Sequence, residues 1–219
     1  MATKIIDLSH ILNDAISVYP GTVGPKFETL STVEKDGFNE LKMTLVLHSG
    51  THIDAPYHVL KNAKSIDQIT IDKFIGKAIV IRSDKQKEIN LKYLRTFEAK
   101  ISQIDFILFY TGWQHKWKTK SYYDNCPTIT HEAATWLTKF KLKGIGIDAF
   151  SIDDIVPSQV IVSRGLPNHH ILLQNEIILI ENLTNLDKLP DGIFTFQCFP
   201  LNIENADGSQ TRAIAILEE

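Results

Sequence analysis

Cysteine is nearly absent from this chain of 219 residues, with Cys126 and Cys198 in unrelated contexts. Two thiols make no disulfide framework, so the sequence reads as that of a protein of a reducing compartment, and a cytoplasmic location is expected. No apolar run nears the roughly 18 residues that a membrane span needs. The N-terminal MATKIIDLSHIL has one lysine and an apolar stretch interrupted by Asp7, unlike a signal peptide. Charge of one sign is lacking too: 23 basic and 26 acidic residues leave a formal charge of −3, mixed along the chain. That removes the electrostatic footprint of a nucleic-acid or anionic-lipid binder and leaves small molecules as the expected partners. Linkers rich in Pro, Gly or Ser, internal repeats and low-complexity tracts are missing, so one domain over 1–219 is expected.

What is present is an ordinary globular composition, 43% hydrophobic and 22% charged, enough to bury a substantial core. Short runs rich in Ile, Val and Phe at 77–83, 104–112, 143–150 and 176–183 have the length and ends of buried strands. LKMTLVLHSGTHID, residues 41–54, alternates more loosely and reads as another strand. Helical spacing appears after Thr130, a candidate cap, with Ala133, Trp136, Leu137 and Phe140 on one face and Gly144 as the stop. Residues 91–100 are a weaker helix. Strands and helices mix without strict alternation, which predicts an α/β or α+β domain built on a mixed sheet.

HSGTHIDAPYH, residues 48–58, gathers three histidines and an aspartate. On a strand, His48, Gly50, His52 and Asp54 face one way, so two imidazoles and a carboxylate converge past a residue with no side chain, which is how a sheet builds a metal site. A helix fits less well, because it turns Asp54 away and has to accommodate Gly50 and Pro56. Pro56 ends the strand, and His58 beyond it is free to stand beside the metal as a general acid or base. Any one histidine is more often a surface or satisfied core residue; it is the combination, costly to bury without a cation, that points to metal. Further on, PNHHILLQNEIILIENL offers His169, His170 and a Glu181 that closes an apolar run. Alone, Glu181 reads as emerging at the surface; if the two segments meet, Asp54 and Glu181 could bridge two cations.

The 48–58 stretch resembles the H-x-G-T-H-x-D-x-P-x-H signature of the cyclase family of metal-dependent hydrolases, which includes kynurenine formamidases and isatin hydrolases. YPG (19–21), TGW (111–113), GIDAFSID (146–153) and the His-to-Glu segment look like family landmarks in the expected order. The resemblance implies a layered mixed β/α fold of the swivelling β/β/α kind in a homodimer or homotetramer. It implies that His48, His52, Asp54, His169 and Glu181 bind metal, two divalent ions of zinc or manganese, and that His58 transfers protons. His169, not His170, has the family's interval to Glu181. Tyr19 stands where formamidases typically carry a tryptophan against the aryl substrate, and it keeps a stacking surface while altering the pocket. The implied activity is hydrolysis of an amide, formamide or lactam C–N bond on an aromatic small molecule such as N-formylkynurenine. The alternatives are a metal- or ligand-binding protein without turnover, against which the spare imidazole of His58 argues, and a metal-dependent cyclising enzyme.

Other signals are weaker. GIGIDA, 144–149, fits a relaxed dinucleotide fingerprint but lacks the strand, turn and helix order. The acidic and hydroxyl residues of DAFSIDD read as turn and cap residues in preference to partners of ligands. His10, His115 and His131 have no companions at ligand spacing, and Trp113 and Trp117 suit core packing or an oligomer interface.

Overall fold

The structure, a computed structural model, describes residues 3–155 and 165–218. In chain order the strands are β1 (Thr3–Asp7), β2 (Lys26–Ser31), β3 (Glu40–Thr44), β4 (His52–Asp54), β5 (Ile75–Arg82), β6 (Glu88–Ile89), β7 (Phe106–Tyr110), β8 (Thr128–Ile129), β9 (Gly144–Ile147), β10 (Ile178–Glu181), β11 (Phe194–Gln197), β12 (Gly208–Gln210) and β13 (Ile214–Glu218). The helices are α1 (Val33–Asp36), α2 (Leu91–Arg95), α3 (Glu98–Ile101), α4 (His131–Leu137) and α5 (Pro167–Gln174). A nine-stranded sheet runs β1-β13-β11-β5-β7-β9-β10-β4-β12, while β2 pairs with β3 and β6 with β8.

The four apolar runs form the parallel centre, β5-β7-β9-β10. Strands covered on both faces must be apolar throughout, and these are. Ile79, Ile81, Ile107, Phe109, Ile145, Ile147 and Leu179 pack on one side with Leu94, Ile101, Ala133, Leu137 and Leu172 from the helices. Ala78, Val80, Phe106, Leu108, Ile178 and Ile180 fill the other side with Ile53, Phe196 and Ala215 from the antiparallel strands. The sheet is therefore mixed, as the lack of strict alternation predicts. On the second face β9 needs its glycines, since a Cβ on Gly144 would sit 2.8 Å from Ile178 Cγ1 and 2.9 Å from Phe106 Cε1.

Three expectations change. Residues 41–54 are not one strand: β3 ends at Thr44, the chain turns through Gly50 at φ 70°, and pairing resumes only at His52. The helix after Thr130 is capped as expected, with the Thr130 hydroxyl accepting from Ala133 N–H at 3.2 Å. It ends at Leu137, however, where i−3 bonds from Lys139 and Phe140 tighten the last turn. Phe140 lies past the helix, and Gly144 opens β9 instead of stopping a helix. The weaker segment divides into α2 and α3, the former capped by the Asn90 side chain.

Asp148, just past β9, is fully buried and ties two strand ends together. Its Oδ1 accepts from the Thr111 backbone N–H at 2.8 Å and from the Thr111 hydroxyl at 2.5 Å. Burial outweighs these bonds and lifts its carboxyl from 3.8 to about 6. A folded pKa above the unfolded one gives stability that is fully present below about pH 4 and is lost as pH rises through about 6. Asp148→Asn keeps the carbonyl acceptor and removes the titration. Urea unfolding of both proteins from pH 4 to 7 is expected to show wild type losing on the order of 3 kcal/mol relative to Asp148→Asn across that interval. A difference that stays flat with pH contradicts this account.

Candidate metal centre

β4 lies antiparallel between β10 and β12, with Glu181 opposite His52 and Leu179 opposite Asp54. Directly opposed residues share a face, as do residues two apart. His52, Asp54 and Glu181 therefore emerge together on the helix-covered side, with Ile53 and Ile180 pointing into the opposite core. The N-terminal turn of α5 adds His169 to the same side. His52 Nε2 lies 3.3 Å from Asp54 Oδ1 and 3.7 Å from Glu181 Oε2. His169 Nε2 lies 3.4 Å from Asp54 Oδ2 and 3.3 Å from Glu181 Oε1. These four side chains are buried.

Each buried imidazole is turned by its other nitrogen. His52 Nδ1–H donates to the Gly50 carbonyl at 2.8 Å, an oxygen that also accepts from Asn182 Nδ2 at 2.9 Å. A carbonyl can only accept, so Nδ1 carries a proton, and Nε2 is the nitrogen turned inward toward the carboxylates. His169 Nδ1 bonds Asp153 Oδ2 at 2.7 Å, and the same carboxylate accepts the backbone N–H groups of Asn168 and His169. Asp153 thus caps α5 and orients its histidine, a double task that the turn-and-cap reading of DAFSIDD captured only in part. His170, one residue on, is exposed and bonds the Leu166 carbonyl.

His48 and His58 occupy the more open side, at 20% and 24% side-chain exposure against 3% for His52 and His169. His48 does not share a strand with His52, as its expected alternation required. It sits in the turn before Gly50, and the left-handed turn brings it back over β4, with Nδ1 at 2.7 Å from Asp54 Oδ1. Gly50 therefore serves the site through its backbone conformation and its carbonyl. His58 ends a 3₁₀ turn begun by Pro56, and its ring centroid is 4.0 Å from that of His48. Asp207 completes this side, with Oδ2 at 2.9 Å from His48 Nε2 and 3.4 Å from His58 Nδ1. Nothing in the sequence singled out Asp207: one acidic residue in the polar loop NADGSQ reads as a turn residue, and it lies far along the chain from both histidines.

The electrostatics fit a cation. Among the described residues, the ion-pair partners of Asp54 and Glu181 are all histidines. Burial raises the Asp54 carboxyl, but the His48 charge and bonds from His169, His48 and His52 overcome it and hold the group well below its ordinary range. Burial likewise disfavours protonated His48, yet Asp54 and Asp207 raise it to about 10. Two sets of donor atoms each lie within 4.8 Å of one another: His52, Asp54 and Glu181, and His48, Asp54 and His58. Asp54 belongs to both. Imidazole and carboxylate donors in this number suit a divalent ion of the zinc or manganese kind.

Beyond the donors stands an aromatic cluster. Tyr19 meets Tyr123 edge-on at 5.7 Å and Phe150 at 6.3 Å. Burial, followed by the Glu181 charge, raises the Tyr123 hydroxyl. Away from the donors, His10 stacks on Trp117 at 4.1 Å, Trp113 donates to the Tyr122 carbonyl, and His131 is exposed at the start of α4.

A mixed α/β sheet carrying a buried histidine–carboxylate centre at one side defines the class of protein. The Cyclase family model matches residues 6–154, and the chain belongs to that family. It is 32% identical to the kynurenine formamidase of Bacillus cytotoxicus over 214 residues, covering 97% of each chain. It is 32% identical to that of Geobacillus thermodenitrificans, again over 97% of each. Isatin hydrolase A from Ralstonia solanacearum has the same fold, with a TM-score of 0.84 at 24% identity over 99% of this chain and 92% of that one. The gathered donor set itself supports a divalent metal.

Gly208 gives a steric handle on the centre. A Cβ there would lie 2.7 Å from both His48 Cε1 and the Ile53 carbonyl. Gly208→Ala is expected to destabilise the fold by about 1–3 kcal/mol and to lower metal retained after dialysis. Gly144→Ala, crowded by Ile178 and Phe106 away from the donors, is expected to destabilise comparably with metal content unchanged. Elemental analysis and urea unfolding of both variants check this; equal metal retention in both refutes it.

Proposed function

We propose that residues 1–219 form one metal-dependent hydrolase domain that cleaves an amide, formamide or lactam C–N bond of an aromatic small molecule. N-formylkynurenine is the first substrate to test, because kynurenine formamidases are relatives at 32% identity over nearly the whole chain. The residues that would hold metal, two cations of zinc or manganese, are His48, His52, Asp54, His169 and Glu181. A homodimer or homotetramer in the cytoplasm is proposed with it. Among the described residues no helix is long and apolar enough to cross a membrane.

The observation that carries the reading is a surplus imidazole. His52, Asp54, His169 and Glu181 already gather four buried donors, and the partly exposed ring of His58, although within reach of His48 and Asp54, is not needed to complete that buried set. A bound divalent cation supplies Lewis acidity, which polarises a carbonyl and makes water acidic enough to attack near neutral pH. The chain does the rest. Tyr19, with Tyr123 and Phe150, offers ring faces and edges to an aryl group and excludes water from it. The Nδ1–H bonds of His52 and His169 keep their Nε2 atoms facing the two carboxylates, so the donor set is organised in advance. His58 takes the proton released on attack and returns it to the leaving nitrogen, without which an amine is a poor leaving group.

His58→Ala is expected to keep wild-type metal content and to lose about 10²–10⁴-fold in kcat/KM on N-formylkynurenine. Loss of metal along with activity would make His58 a ligand instead. Chelation is expected to abolish hydrolysis and lower the thermal midpoint. Readdition of zinc or manganese at about 100 times its Kd restores activity and about 2.7 kcal/mol of stability. Hydrolysis that survives full removal of metal, verified by elemental analysis, contradicts the reading.

A further inference from the structure

Asp207 is the side-chain hydrogen-bond partner of the His58 ring among the described residues, and its main chain is held in place. Its own carbonyl accepts from Ala55 N–H at 2.9 Å, and the Ala55 carbonyl accepts from His58 N–H at 2.9 Å. Asp207 and the turn that carries His58 are thus successive links of one hydrogen-bonded unit. The residue before Asp207 is pinned as well, because the Ala206 carbonyl accepts from Ile66 N–H at 2.9 Å. After Asp207 the chain enters β12, where Gly208 pairs with Asp54 and lies flat against His48. The loop approaches this closely only because Gly208 has no side chain.

Resting on the hydrolase reading above, we propose that Asp207 is a positioning residue for proton transfer: its carboxylate fixes His58 in the Nδ1–H tautomer and so presents Nε2 as the proton acceptor. A carboxylate only accepts, so the His58 nitrogen facing it is the protonated one. The opposite nitrogen then holds the lone pair, and once it has taken a proton the imidazolium faces a fixed negative charge. The 3.4 Å separation is long because His48 Nε2 already occupies the same oxygen at 2.9 Å. Such contacts shorten when a reaction complex forms. Sharing one oxygen also ties the two histidines of the open side to a single support. His48 is held by Asp207 through Nε2 and by Asp54 through Nδ1. Truncating this side chain leaves the main-chain bonds of the 206–208 segment intact, so its loss is local.

The test uses the full chain loaded with zinc, in wild type, Asp207→Asn and Asp207→Glu. Nitrogen NMR of histidine-labelled protein, with the His58 signals identified by their absence in His58→Ala, is expected to show an Nδ1–H ring in wild type. In Asp207→Asn, whose amide can turn either its donor or its acceptor to the ring, the Nε2–H form is expected to gain population. On N-formylkynurenine at saturating metal, Asp207→Asn is expected to lose at least about tenfold in kcat with KM within about threefold, and Asp207→Glu to recover part of the loss. A His58 tautomer identical in wild type and Asp207→Asn overturns the assignment whatever the activity does. The NMR readout needs no substrate, so failure of wild type to cleave the aryl formamide would count against the hydrolase reading alone.

Discussion

Asp54 and Glu181 lie within reach of the same two imidazoles in the interior, with no lysine or arginine among their ion-pair partners in the described residues. Two carboxylates cannot both stay ionised and dry without positive charge, and mutual repulsion would otherwise protonate one of them or open the fold. Histidine meets this need partly, by taking up protons, and a divalent cation meets it fully by replacing those protons with one concentrated charge. The antiparallel pairing of β4 with β10 forces the two acids together, since shifting the register by one residue would send His52 and Asp54 into the core that Ile53 now fills.

Around that constraint the surrounding residues divide into two tiers. On the inner one, main-chain and carboxylate acceptors hold the Nδ1–H groups: the Gly50 carbonyl for His52 and Asp153 for His169. On the outer one His48, His58 and Asp207 share one bonded cluster with partial access to solvent. Exposure separates the tiers: the inner rings stand at 3%, while His48 and His58, at 20% and 24%, reach solvent beside one carboxylate.

The strand runs of the parallel centre were legible because strands covered on both faces must be apolar at every position, a pattern independent of distant partners. The segment at 41–54 was misread as continuous, and the reason is local: loose alternation does not reveal a left-handed residue, and Gly50 both breaks the strand and swings His48 back. His48, His52 and Asp54 converge through a turn and not through period-two alternation. Helix ends were less legible. Phe140 has helical spacing from Trp136 and Leu137, but tight bonds after Leu137 release the chain in time for β9 to begin at Gly144.

The sequence by itself determined the donor chemistry: which residue types cluster at 48–58, that Pro56 separates His58 from them, and that 178–181 is a strand ending in an acid. Those are properties of short segments, fixed by side-chain identity and backbone stereochemistry. Only the tertiary structure decided that Glu181 turns inward, that His169 faces the centre while His170 faces water, and that Asp153 lies against His169 and Asp207 against His48 and His58. Each of these depends on contacts between residues far apart along the chain. A lone carboxylate in a polar loop carries no mark of the imidazole it will meet, because hydrogen-bond partners are chosen by strand pairing and not by neighbours in sequence.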